Sequence, residues 1–192
     1  MLILVVGLVV FFAIHLVPTN PELRNGLADR FGETTWKAIF SVVSLVGFAM
    51  IVYGFHKLQV MPGKNPLLWV PPAWTRHVAW LLMLPSLVLL VAAYVPSRIR
   101  DVVQHPMLVA VKLWALAHLL ANGDAASLLL FGSFLAYAVV DRISVKARGA
   151  RGPLGARTGG LGGDIAVVVV GIALYAFMLH FGHQLLIGVP VL

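Results

Sequence analysis

Residues 106–140 read PMLVAVKLWALAHLLANGDAASLLLFGSFLAYAVV. Two apolar runs, 106–121 and 125–140, flank Asn122-Gly123-Asp124. Asn-Gly is a turn signal, and Asp124 is placed to cap the second helix. The stretch therefore predicts a tight helical hairpin in hydrocarbon. Its arms lie at or below the roughly 17–25 residues that a span needs, so they either tilt little or form a hairpin that crosses incompletely. Lys112 stands near the start of the first arm and His118 deep inside it. Polar groups in a membrane are costly and mark a functional or structural requirement. Lys112 is long enough to snorkel to the inner surface; His118 is not.

Outward from the hairpin, further apolar runs fall at 1–17, 36–55, 77–95 and 165–189, which makes about six spans. The whole chain of 192 residues is 60% hydrophobic and 11% charged, with a mean hydropathy of +0.96. A soluble domain is closer to half apolar and a quarter charged. The expected fold is an all-α integral membrane bundle, with residues 1–192 forming a single transmembrane domain. MLILVVGLVVFFAIHLV lacks the basic start and small-residue cleavage site of a signal peptide, so it reads as a retained first span. There is no cysteine. Disulfides, thiolate-held iron–sulfur clusters and thiolate-ligated haem are excluded. The net charge of +7 points to loops facing anionic lipid rather than to nucleic acid.

The loops after spans one, three and five carry Arg24, Arg30, Arg98, Arg100, Arg142, Lys146, Arg148, Arg151 and Arg157, against Lys57, Lys64 and Arg76 in the loops after spans two and four. This asymmetry places the odd loops in the cytoplasm and both termini on the other side of the membrane. Trp36, Trp69, Trp74 and Trp80 lie near span ends as an interfacial belt would. TNPELRNGLADRF offers Thr19 or Asn20 as a cap, Pro21 in the first turn, and Leu23, Leu27 and Phe31 at helical spacing: a short helix in the interface. RISVKARGARGPLGARTGGLGGD is basic and glycine-rich but lacks the Gly-Lys-Ser/Thr ending of a phosphate-binding loop. It reads as a flexible cytoplasmic loop.

The seven histidines are many for so few polar residues. His56 and His77 sit at span ends, where headgroups accommodate them. His180 and His183, three apart, share a helical face and suit the negative end of the last helix. His15, on a face with Leu8, Phe11 and Phe12, and His118, on a face with Val111, Trp114 and Asn122, are too deep for headgroup contact. Each is equally well explained as an interhelix hydrogen bond or as a metal ligand. His105 opens span four within QHPM. Depth alone pairs His118 with His77, His180 or His183 rather than with His15, which ends span one on the inner side.

FFAIHLVP, TTWKAIFSVVSLVGF and QHPMLVAVKLWALAHLLANGD together resemble the NnrU family of bacterial membrane proteins, over nearly the whole chain. The QHPM…ALAHLLANGD block is the specific part. That resemblance implies a role in denitrification, in nitrite and nitric oxide reduction. The same family includes the zeta-carotene isomerase of plants and cyanobacteria, a haem b enzyme that isomerises a central cis double bond of a carotenoid. By that likeness His15 and His118 are haem ligands, and a hydrophobic small molecule is the expected substrate; Trp114, one turn before His118, and Asn122, one turn after it, would then border the ring, with His105 as a further cofactor-binding candidate. The plant enzymes carry a cysteine three residues before the second ligand; Ala115 stands there in this chain, so no thiolate–imidazole exchange is available. The alternative within the family is a non-enzymatic membrane factor that acts on membrane-protein partners to assemble or express denitrification enzymes. The HP motif also resembles, more weakly, membrane methyltransferases that carry an arginine before it and an acid after the hairpin. Gln104 and Asp141-Arg142 occupy those places, and no cofactor-binding half is recognisable.

Overall fold

In the computed structural model, residues 1–150 and 152–192 are described; Arg151, counted above among the loop cations, lies outside them. The helices are α1 (Leu2–Leu16), α2 (Pro21–Phe31), α3 (Glu33–Val60), α4 (Ala73–Ala92), α5 (Arg98–Val103), α6 (Pro106–Ala121), α7 (Ala125–Ala147), α8 (Leu161–Phe177) and α9 (His183–Ile187). Among the described residues there is no strand, only an isolated bridge between Leu67 and Asp124. Among the described residues, five helical segments, the last running from α8 into α9, are long and apolar enough to cross a membrane. The other, α6, has 16 residues and so a rise of about 24 Å, short of the ~30 Å hydrocarbon core. Its bounds are those expected from the sequence. α7 runs beyond 140 through Ala147, so Arg142 and Lys146 belong to a helix and not to a loop.

The chain divides into two units, Met1–Val70 with Gly123–Ser133, and Pro71–Asn122 with Phe134–Leu192. In the first, α1 and α3 pack antiparallel on glycine. A Cβ at Gly54 would lie 2.6 Å from the Leu4 amide nitrogen, one at Gly7 2.8 Å from that of Ile51, and one at Gly47 2.8 Å from that of Phe11. Without a hydrophobic drive between helices in lipid, such close backbone approach is what van der Waals packing requires. α2 starts as predicted: Asn20 Oδ1 accepts from the Leu23 amide, with Pro21 in the first turn. Leu23 and Phe31 are left exposed, as suits a helix in the interface. Trp36 is buried at 5% exposure, so it serves the core of this unit rather than an aromatic belt.

The loop after α3 is stitched to the start of α7. Asn65 Nδ2 donates to Asp124 Oδ1 at 2.6 Å, and the Ala126 amide donates to Asn65 Oδ1 at 2.9 Å. Asp124 caps α7 through the Ser127 amide (2.9 Å) and hydroxyl (2.7 Å). Burial pushes the Asp124 carboxyl upward, but the Ser127 and Asn65 donors outweigh it and hold the group below its usual value. A carboxylate stabilised in the folded state contributes fully above its ordinary pKa of about 4 and loses that contribution as pH falls through the depressed folded value. Asp124→Asn should therefore lower the melting temperature at pH 7 and narrow its gap to the parent protein as pH is taken toward 3, in melts followed in detergent.

In the second unit α4 packs on α6 and α8. Pro85 lies inside α4, and beside it Ser86 Oγ donates to the Ala110 carbonyl of α6 at 2.8 Å. Ala110, Ala115 and Ala117 are essentially inaccessible, which brings α6 close to its neighbours. Gly171 does the same for α8: its Cβ would meet Val88 Cα at 2.6 Å.

One end of this unit is basic and cross-tied. Ser97 caps α5, and Asp164 of α8 accepts from the Arg98 amide (2.7 Å) and guanidinium (2.6 Å). Arg100, 5% exposed, donates to the carbonyls of Arg157 (2.6 Å) and Gly155 (2.7 Å). The glycine-rich loop expected to be flexible is thus held by a buried guanidinium, and Gly159 packs directly on the Pro96–Ser97 backbone. Arg100→Ala should leave two carbonyls without their donor, a cost of about 1–3 kcal/mol. Trypsin should then cut at Arg157 several-fold faster, while the membrane helices stay protected.

Candidate histidine site

His118 lies in the last turn of α6. Its Nδ1 stands 2.8 Å from the Trp114 carbonyl oxygen. A carbonyl only accepts, so Nδ1 carries the proton and Nε2 the lone pair. The bond fixes the ring against its own helix and makes Nε2 the more basic, the arrangement that metal-ligating imidazoles use. Asn122 Nδ2 donates to the His118 carbonyl at 2.8 Å and closes the end of α6. The Trp114 ring is 5.3 Å from that of His118 and meets Phe134 edge-on at 5.5 Å. The expected cluster of His118, Trp114 and Asn122 is therefore assembled within one unit.

His15 repeats the same local design in the other unit. Its Nδ1 is 2.7 Å from the Phe11 carbonyl, again leaving the lone pair on Nε2. The Phe11 ring stacks on it at 3.9 Å, and Phe40 lies 5.1 Å away. Gly47 supports this group, because the Phe11 backbone rests on it.

His105 stands at the opposite end of α6, about 20 Å along the axis from His118. It is 8% exposed, and burial, with the Arg142 charge adding to it, pushes its imidazole below the usual value. With Tyr94, Arg100 and Asp141 it lines a cavity of about 250 Å³ at the basic end of its unit.

Regular helical spacing puts His180 and His183 on one face. The structure distinguishes them: His180 lies inside a π-turn over Met178–Gly182 and is exposed, and His183 follows the turn and is half-buried. The wider turn rotates α9 away from the α-helical register of α8. The His183 ring lies 6.4 Å from that of His118, with the planes 21° apart. Its Nδ1 is 2.7 Å from the Val189 carbonyl. Depth along the spans names His183 as one partner for His118; the aromatic Phe134, which also belongs to this group, carries no such signal in the sequence.

His15 and His118 each hold Nδ1 on a backbone carbonyl and sit beside aromatic rings in apolar helices of a membrane protein. Among the described residues no group of three histidine or carboxylate side chains comes together to cage a bare ion. The chain belongs to the NnrU family: the NnrU protein family model matches residues 3–191. No curated protein and no solved structure matches the chain.

Proposed function

We propose that this NnrU family membrane protein binds haem b, whose iron His118 would hold through Nε2. The observation that carries this reading is the His118 Nδ1–Trp114 carbonyl bond, which sets tautomer and ring orientation in advance of a metal. The resemblance supplies His15 as the second histidine, and its Phe11 carbonyl bond gives the same tautomer. Bound iron would supply a centre that exchanges electrons or polarises a double bond. The chain's part is to hold that centre in an apolar, water-poor setting, with Trp114 and Phe134 beside it and Asn122 fixing the helix end.

The physiological role proposed is in denitrification, with haem-dependent isomerisation of a polyene as the corresponding enzymatic activity. The cysteine-free site favours permanent histidine ligation in either case. The membrane is the bacterial inner membrane, with the basic end carrying Arg98, Arg100 and Arg157 in the cytoplasm and both termini in the periplasm.

The test is the absorption spectrum of protein purified in detergent after production with ample haem. A Soret band with sharp bands on reduction is expected. A colourless protein would overturn the reading. A reporter fused after Leu192 should be active only in the periplasm, and activity in the cytoplasm would reverse the orientation.

A further inference from the structure

We propose that the cavity at the basic end of the second unit binds a phosphate group, with Arg142 supplying the charge that answers it. The inference is independent of haem. Every residue it uses belongs to that unit.

Three observations meet there. The first is an unbalanced charge. Arg100 pairs with Asp101 at 3.3 Å, and Arg148 with Asp141 at 3.5 Å. Asp141 also accepts from the Tyr137 hydroxyl at 3.4 Å. Arg142, next in α7, is in none of the ion pairs among the described residues. Its Nη1 is buried and has no hydrogen-bond partner among them. A guanidinium taken out of water is costly unless it is paired and bonded, and it cannot shed its proton.

The second is space. The cavity of about 250 Å³ is lined by Arg100, His105 and Asp141, with Met107, Leu108 and Val145 as an apolar wall. It far exceeds the ~10–15 Å³ that admits a single water. Asp141 precedes Arg142 in α7 and Val145 follows it by about one turn. The Arg142 charge also acts on the His105 imidazole, so the guanidinium lies beside the cavity. The third is a helix start. Pro106, Met107 and Leu108, the first turn of α6, border the same space. That turn has no acidic residue and no side-chain cap. The positive end of α6 thus has no carboxylate of its own and favours an anion.

This set suits a phosphate ester, with its oxygens on the guanidinium and its ester carbons on the apolar wall. Tyr94, also in the lining, is 58% exposed, so the cavity opens outward. A phospholipid headgroup and a soluble phosphate share this chemistry.

The experiment follows the melting temperature of the full-length protein in detergent as phosphatidylglycerol, inorganic phosphate or diacylglycerol, the phosphate-free lipid, is added. A saturable rise with a phosphate source and none with diacylglycerol is expected. A rise with phosphatidylglycerol alone makes the source a lipid headgroup; an equal rise with inorganic phosphate makes it free phosphate. Arg142→Gln should weaken the midpoint by about tenfold to a hundredfold, the worth of one charge-assisted bond. Lys146→Gln, an equal loss of charge at an exposed position of the same helix, should keep the midpoint. Met107→Trp, which fills the cavity and keeps every charge, should abolish the rise. If Arg142→Gln does not accumulate, the other two variants decide. No saturable rise with either phosphate source would overturn the proposal. So would equal weakening by Arg142→Gln and Lys146→Gln, the mark of a diffuse surface charge, or a Met107→Trp protein that binds at the parent's midpoint.

Discussion

Replacing His118 with alanine should remove haem from the purified protein, lowering the haem-to-protein ratio by at least tenfold, since even second-shell partners of metal ligands are worth about 10–100-fold in affinity. The surroundings of His118 are assembled within a single unit: Trp114 holds its Nδ1 and Asn122 ties its carbonyl. His56→Ala, at the far end of α3, should leave the ratio unchanged. Pyridine haemochrome assay against protein concentration measures both. If His15 and His118 can each be replaced without loss of haem or change in spectrum, the ligand assignment fails. An interhelix hydrogen bond of about 1 kcal/mol would then be the better account of each.

The largest effect on folding is expected at Gly54. A Cβ there would lie 2.6 Å from the Leu4 amide nitrogen and 2.9 Å from Leu4 Cα, and those atoms are backbone that cannot rotate away. Gly54→Leu must push α1 off α3 along its whole length, because Gly47 and Gly7 make the same kind of contact further along the pair. Overpacking alone costs about 1–3 kcal/mol, and here the neighbouring contacts are lost as well. The variant should aggregate or vanish in size-exclusion of detergent extracts. Gly26→Ala is the control: its Cβ would meet nothing within 4 Å, so a normal elution profile and an equal or higher melting temperature are expected. A well-behaved Gly54→Leu protein would show that α1 and α3 do not depend on this approach.

The elements legible in the sequence are those with a local chemical cause. Asn122-Gly123-Asp124 stops one helix and caps the next with its own side chain, so α6 begins and ends where the pattern predicts. Asn20 and Pro21 start α2 in the same way. α7 runs past its expected end because Asp141, Arg142 and Lys146 stop the apolar pattern without stopping the helix. The tethering of the glycine-rich loop is hidden, since Arg100 binds backbone carbonyls and every residue has one. The site is legible in part. His118, Trp114 and Asn122 stand at α-helical spacing and meet as a regular helix demands. His183 depends on a π-turn, where the i, i+3 rule that groups it with His180 no longer applies.

The stitch between Asn65 and Asp124 bears on the order of synthesis. The two residues are 59 apart in the chain, and translation proceeds at about 5–20 residues per second. The first unit therefore waits several seconds for its last piece, while α4, α5 and α6 are made and inserted between its parts. During that interval Asn65 and the Pro66 carbonyl, which bond Asp124 and the Ala125 amide in the finished protein, lack those partners, and the α1–α3 pair must persist on its own contacts, the glycine approaches and the His15–Phe40 rings among them. A ribosome stalled soon after Asn122 would leave that unit unfinished in the bilayer, and completion of the first three helices would come only with the opening turn of α7.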